Sequence, residues 1–506
     1  MSSAQENRIK KIVIAGGGSA GWMCAAALVR VFGNSDISIV LVESKEIGTV
    51  GVGEATIPHM AAFNEMLKIS EPEFMRQTQG TFKLGIEFVN WREQGHSYIH
   101  PFGTYGRDID SLPFHQFWLK GLQQGWSANL EEYALAASAA RQARFSRPIN
   151  IPGSPLAEIN YAYHFDASLY ARYLSGYAQQ RGVVHVEGMI EHIPLDPDTG
   201  FIKSLVLKSG EVIEGDLFID CSGFRSLLLG QTLGVGYEDW SDMLPCDRAV
   251  AVPCERVDPL LPYTRSTAHA AGWQWRIPLQ HRTGNGHVFS SRFMSVDEAT
   301  AILLANLDGP AAADPREIKF IAGRRKKIWH KNCVAIGLAS GFLEPLESTS
   351  LHLIQMGVGR LISLFPDKSF NADFVDKYNE KMQSDLVGIR DFIVLHYWAT
   401  RRDDSEFWRY CKNMDVPASL LRRVNMYRNG GHVERENLEL FTEPSWLAVM
   451  HGQGVENVRY HPSVDAMKDD LVRDSLEQMR ARVKNSVGEL PSHAEFIKRY
   501  CMADQK

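Results

Sequence analysis

Gly16-Gly17-Gly18-Ser19-Ala20-Gly21 lies between an apolar run, Lys11 to Ala15, and a helix-forming run, Trp22 to Val31. A G-x-G-x-x-G turn in that setting constrains the fold more than any other feature of the chain. Its glycines permit a tight strand-to-helix turn and let the backbone approach a pyrophosphate, while the helix N-terminus offers free N–H groups. A second strand, Ile37 to Val42, ends at Glu43, 22 residues beyond Gly21. A carboxylate there can bind ribose hydroxyls. Gly16, Gly18, Ser19, Ala20, Gly21 and Glu43 are therefore candidate dinucleotide ligands.

The same elements recur later. Leu205–Leu207 and Glu211–Ile213 read as antiparallel strands, Leu217–Asp220 as a buried strand, and Cys333–Ile336 as another that runs into Gly337. After Ser348, Leu351, Ile354, Val358, Leu361 and Ile362 mark a helix stopped by Pro366. A long amphipathic helix is expected over Asp373–Trp398, its apolar stripe carried by Phe374, Tyr378, Met382, Leu386, Ile389 and Ile393. The spread predicts an α/β fold whose dinucleotide-binding core occupies residues 1–375, interrupted by substrate-module insertions at about 61–160 and 236–324. Residues 376–506 form a mainly helical part completing that second, sheet-plus-helix module.

Composition narrows the class. The 506 residues are 44% hydrophobic, an ordinary globular balance. Lys and Arg number 54 against 60 Asp and Glu, a net −6 that argues against a nucleic-acid partner. Seven scattered cysteines without a C-x-x-C pair predict neither zinc nor a disulfide framework. No metal site is expected. With no leader-like N-terminus and no long uncharged apolar run, neither a membrane span nor export is expected, and the cytoplasm is the expected location.

Four further stretches carry chemistry. Gly51-Val52-Gly53-Glu54-Ala55-Thr56-Ile57-Pro58 is a second glycine-rich loop, suited to backbone lying against a flat ring; Gly51, Val52, Gly53, Ala55 and Thr56 are candidates there. Thr81-Phe82-Lys83-Leu84-Gly85 sets a lysine among apolar neighbours. Trp273-Gln274-Trp275-Arg276-Ile277-Pro278 puts two indoles on one face of a strand. Pro345-Leu346-Glu347-Ser348-Thr349 opens the helix that follows Gly337. Taken together, W-x-W-x-I-P, G-x-G-x-x-G and these loops resemble the flavin-dependent halogenase family, whose best-known members act on tryptophan.

The resemblance implies a fold of the flavin monooxygenase type and FAD as cofactor, with Gly337 and Leu346 added to its contacts. Reduced FAD and oxygen would give a flavin hydroperoxide, halide would attack its distal oxygen, and hypohalous acid would pass to Lys83. Lys83 would position that acid or carry the halogen as a haloamine. Glu347 would orient the arene and stabilise its cationic intermediate. Ser348 would support both sides, and Thr349 and Ser350 would bind the halide, bromide or chloride, through helix N-terminal amides. His100, Phe102, Trp273, Trp275 and Trp446 would form the substrate pocket.

The chain departs from the tryptophan halogenases at two places. Ser350 stands where they carry Gly, with Leu351-His352 in place of Ile-Tyr. Near Trp446 the Tyr-Tyr pair that grips the amino acid is missing. An indole, free or on a larger molecule, is therefore the expected substrate, with bromide favoured over chloride. A tryptophan halogenase and an FAD aromatic hydroxylase, which needs no Lys83, are the alternatives, and a flavin-bound protein without turnover is a third reading. No second nucleotide motif is present, so a separate flavin reductase is expected to supply reduced FAD. A homodimer is among the assemblies such a chain can form.

Overall fold

The computed structural model describes residues 6–46, 53–149, 151, 153–433, 435 and 439–504. Strand β1 (Lys11–Ala15) passes through the glycine turn into helix α1 (Ser19–Phe32), and β2 (Ser38–Glu43) returns parallel to β1. Two positions of the turn exclude a side chain. Gly16 has φ +111°, and a Cβ there would lie 2.3 Å from the Cys221 carbonyl oxygen; one on Gly21 would lie 1.8 Å from that of Gly16.

The chain then forms β3 (Gly53–Ala55), β4 (Thr81–Lys83), β5 (Gly85–Val89), β6 (Ser97–Pro101) and β7 (Ala162–Asp166). Asp166 accepts from the Ser168 and Leu169 amides and so caps helix α2 (Ala167–Gln179), which leads to β8 (Val184–Glu187). The expected antiparallel pair follows as Ser204–Leu207 and Val212–Glu214, and then β9 (Leu217–Asp220). The strands of the second large sheet follow: β10 (Arg248–Glu255), β11 (Thr264–His269), β12 (Gly272–Pro278), β13 (Arg282–Phe289) and β14 (Arg316–Lys319). After β15 (Trp329–His330) and β16 (Cys333–Ala335), the chain is helical: α3 (Ser350–Ser363), α4 (Ala372–Trp398) and, farther on, α5 (Glu443–Gly452).

One sheet has the order β15-β16-β9-β1-β2-β8 and is parallel apart from β15. Its inner strands are covered on both faces, which is why they read as unbroken apolar runs. The second sheet, β14-β10-β13-β12-β11-β5-β6, is antiparallel except where β11 meets β5. A third, small sheet has the order β3-β7-β4. Lys83 pairs with Ala162 in the small sheet, and three residues later Ile86 pairs with His100 and Thr264 in the large one. The chain crosses between sheets at Leu84, whose amide bonds the Pro262 carbonyl.

The stripe of α4 differs from expectation at its first turn. Tyr378, Met382, Leu386, Ile389 and Ile393 are buried, each worth about 1.5–3 kcal/mol of apolar transfer. Phe374 is 44% exposed, because the start of α4 projects past the core. Among the described residues no helix is long and apolar enough to cross a membrane, and no group of His, Cys, Asp and Glu could hold a metal ion.

Candidate active site

A cavity of about 540 Å³ begins at the glycine turn, passes β3 and ends at the start of α3. Gly18 has open space where a Cβ would point, so the turn presents bare backbone to it. Glu43 lies beneath, its carboxylate 2.9 Å from His185 Nε2 and in the space a Gly17 side chain would need. Burial raises the Glu43 carboxyl, with His185 opposing. Ser19, Ala20, Gly53, Ala55 and Gly337 also line the cavity. A glycine-walled channel with a carboxylate at one end and a helix N-terminus at the other fits an extended dinucleotide such as FAD.

Two expected cofactor ligands sit otherwise. Leu346 is fully buried outside the cavity wall. Thr56 turns away, its hydroxyl donating to the Tyr163 carbonyl and its own carbonyl facing Lys83. Gly51 and Val52 lie outside the described residues. Among the residues lining the cavity that sequence reasoning passed over are two charged ones, Glu54 and Arg172 of α2. Burial, reinforced by Asp166, raises the Glu54 carboxyl to about 7.

Beyond the far end lies a polar cluster sealed from solvent. Lys83 is fully buried, and its Nζ donates to the Thr56 carbonyl at 2.9 Å and to Ser348 Oγ at 2.8 Å. Burial lowers its ammonium to about 7, against an opposing pull from Glu347. The Glu347 carboxylate lies 3.0 Å from His100 Nδ1 and 2.9 Å from His396 Nε2. The second contact lies within ion-pair distance but off the line of a good hydrogen bond. Burial alone would raise Glu347; the two imidazoles outweigh it and hold it down at about 2.

Aromatic rings surround the pair. Lys83 Nζ is 5.1 Å from the Phe102 ring centroid. His100 packs near Phe392, which stacks on Phe441 at 3.7 Å and meets Trp446 edge-on at 4.8 Å. The two Trp of β12 share a face but not a cavity. Trp275 lines the cofactor channel, whereas Trp273 is fully buried and bonds Glu344. The expectation that both line one substrate pocket is not what these positions show, and the Trp275 ring packs where a Gly286 side chain would stand.

Ser348 joins the two chambers. It bonds Lys83 and also lines the cofactor cavity, and it takes φ +60°, which turns the chain sharply into α3. The buried Thr349 hydroxyl has no partner among the described residues, and Ser350 faces the cavity. The first amides of α3 therefore open beside the channel.

His396 was not singled out by sequence reasoning. It sits three residues after Ile393 on the buried stripe of α4, and a lone imidazole on an apolar stripe was the available signal.

The model of the tryptophan halogenase family matches residues 11–469. A tryptophan 6-halogenase of Streptomyces toxytricini is 37% identical over 96% of this chain and 97% of its own length. A flavin-dependent halogenase from Xanthomonas campestris superposes with a TM-score of 0.95 at 48% identity, covering 99% of this chain and 100% of its own. Another, from Brevundimonas sp. BAL3, gives 0.94 at 45%, covering 97% and 99%.

Proposed function

Because the chain belongs to the tryptophan halogenase family of flavin-dependent enzymes, we propose that it halogenates an indole, free or on a larger molecule, through Lys83. The observation that carries this reading is the buried Lys83–Ser348 bond between the cofactor cavity and the aromatic-walled cluster that holds Glu347.

Bound reduced FAD supplies, with oxygen, the oxidising equivalents that turn halide into hypohalous acid. A separate flavin reductase provides the reduced cofactor. The Gly16–Gly21 turn and Glu43 hold the dinucleotide, and the first amides of α3, at Thr349 and Ser350, hold the halide. Lys83 Nζ donates to the oxygen of hypohalous acid. The O–X bond breaks, X bonds to the arene carbon, and the oxygen leaves as water with the arene proton. Glu347, a buried anion held by two imidazoles, faces the cationic ring intermediate, where a fixed charge acts most strongly.

Free tryptophan is the poorer fit. Glu443, in the region where the family grips the amino acid, has its carboxylate 3.0 Å from His115 Nδ1. Bromide is the favoured halide, since chloride is harder to oxidise and more strongly hydrated, and Ser350 adds a side chain at the helix start.

The test is mass spectrometry of an indole panel incubated with reduced FAD, oxygen and equal chloride and bromide. Halogenated indoles with a brominated majority support the reading. Oxygen added in place of halogen means a hydroxylase, and a chlorinated majority overturns the halide preference.

A further inference from the structure

Three residues ahead of Glu347, Glu344 is a second carboxyl group with no exposure to solvent. Its Oε2 accepts from Trp273 Nε1 at 2.9 Å and from Tyr397 Oη at 2.5 Å. Its Oε1 is buried with no partner among the described residues. Cys246 and Cys411 are the other titratable groups near it, and Cys246 Sγ lies 3.5 Å from Tyr397 Oη. Burial raises Glu344 to about 7, against the pull of its two donors. The two glutamates of one turn are thus treated oppositely, one held as an anion by imidazoles and the other favoured as a neutral acid.

Their partners on α4 are consecutive. His396 contacts Glu347 and Tyr397 bonds Glu344. Trp273, in the middle of β12, fixes the same carboxyl from the large sheet. We propose that Glu344 is a positioning residue: by tying β12 and α4 to the Pro345–Glu347 turn, it sets where Glu347 and Ser348 stand relative to Lys83. This rests on the reading of Lys83 and Glu347 as the groups that meet hypohalous acid and arene. It also gives the W-x-W strand a task that needs no contact with substrate.

The consequence is selective. Loosening the turn leaves the Gly16–Gly21 end of the channel, which Glu344 does not touch, in place, so oxidant is still made; it no longer meets the arene in register and escapes. The measured quantities are halogenated arene per reduced flavin consumed, escaped hypohalous acid caught by a small β-diketone, and flavin affinity. All are compared with wild type, which must halogenate for the functional reading to stand. Glu344→Ala is expected to lower coupling about tenfold or more, with escaped acid rising to match and flavin affinity within about twofold. Glu344→Gln keeps a neutral acceptor and is expected to recover coupling to within about threefold of wild type. Tyr397→Phe, which deletes one oxygen, is expected to lower coupling about threefold or more and serves if the Ala variant does not fold. Wild-type coupling in Glu344→Ala or Tyr397→Phe overturns the proposal. Loss of flavin affinity in step with coupling also overturns it, because the role is then merely structural. A Gln variant as damaged as Ala overturns it too.

Discussion

Lys83 Nζ donates to Ser348 Oγ at 2.8 Å, and Ser348 is also part of the wall of the cofactor cavity. A buried amine therefore touches a residue of the cofactor cavity's wall. The cost of keeping that amine dry gives the first prediction.

Lys83 falls from its ordinary 10.5 to about 7 on burial. A lowered lysine pKa means that the unfolded chain holds the proton more tightly. Stability is then lost as pH falls from 10.5 to 7 and is flat below. Lys83→Met removes this dependence. The melting temperature of the variant relative to wild type should rise between pH 9.5 and pH 7. A constant difference would mean that Lys83 titrates normally.

His396→Leu should move the acid limb of halogenation up by about one pH unit or more relative to wild type. His396 is one of two groups opposing the burial that would raise Glu347. A lowered carboxyl is an anion above its folded pKa and fails as pH drops through it, so removing one support shifts that failure toward neutrality. An unmoved limb would leave His100 as the sole support.

Gly18→Val should abolish flavin binding with little change in stability, because the added methyls enter open cavity and not packed core. Absorbance of the purified variant titrated with FAD decides it. Unaltered affinity would place the dinucleotide elsewhere.

Free indole should show a higher kcat/KM than free tryptophan. The carboxylate at Glu443 is engaged by His115, so a zwitterion entering the chamber would lose its water without gaining that partner. A higher value for tryptophan would contradict the substrate assignment.

The glycine turn, its flanking strands and Glu43 were legible because local spacing alone dictates them. Lys83 and Glu347 stand 264 residues apart. Only the folded sheets bring them to one chamber, so the sequence pointed to them through motifs and not through geometry. His396 and Glu344 were hidden for a related reason. Each looks like a polar interruption of buried structure until its partner, contributed by a distant element, is seen. Trp273 misled in the opposite sense: two indoles on one strand face suggested one pocket, yet cavity shape separates them.

The central claim is that Lys83 delivers the halogen. The most direct measurement compares wild type and Lys83→Ala under reduced FAD, oxygen and bromide, with brominated indole and β-diketone-trapped hypobromous acid counted in the same reaction. The account predicts that the variant binds FAD, releases hypobromous acid and makes no brominated indole beyond what that free acid yields. Wild-type amounts of brominated indole from Lys83→Ala, with the free acid scavenged, would contradict it.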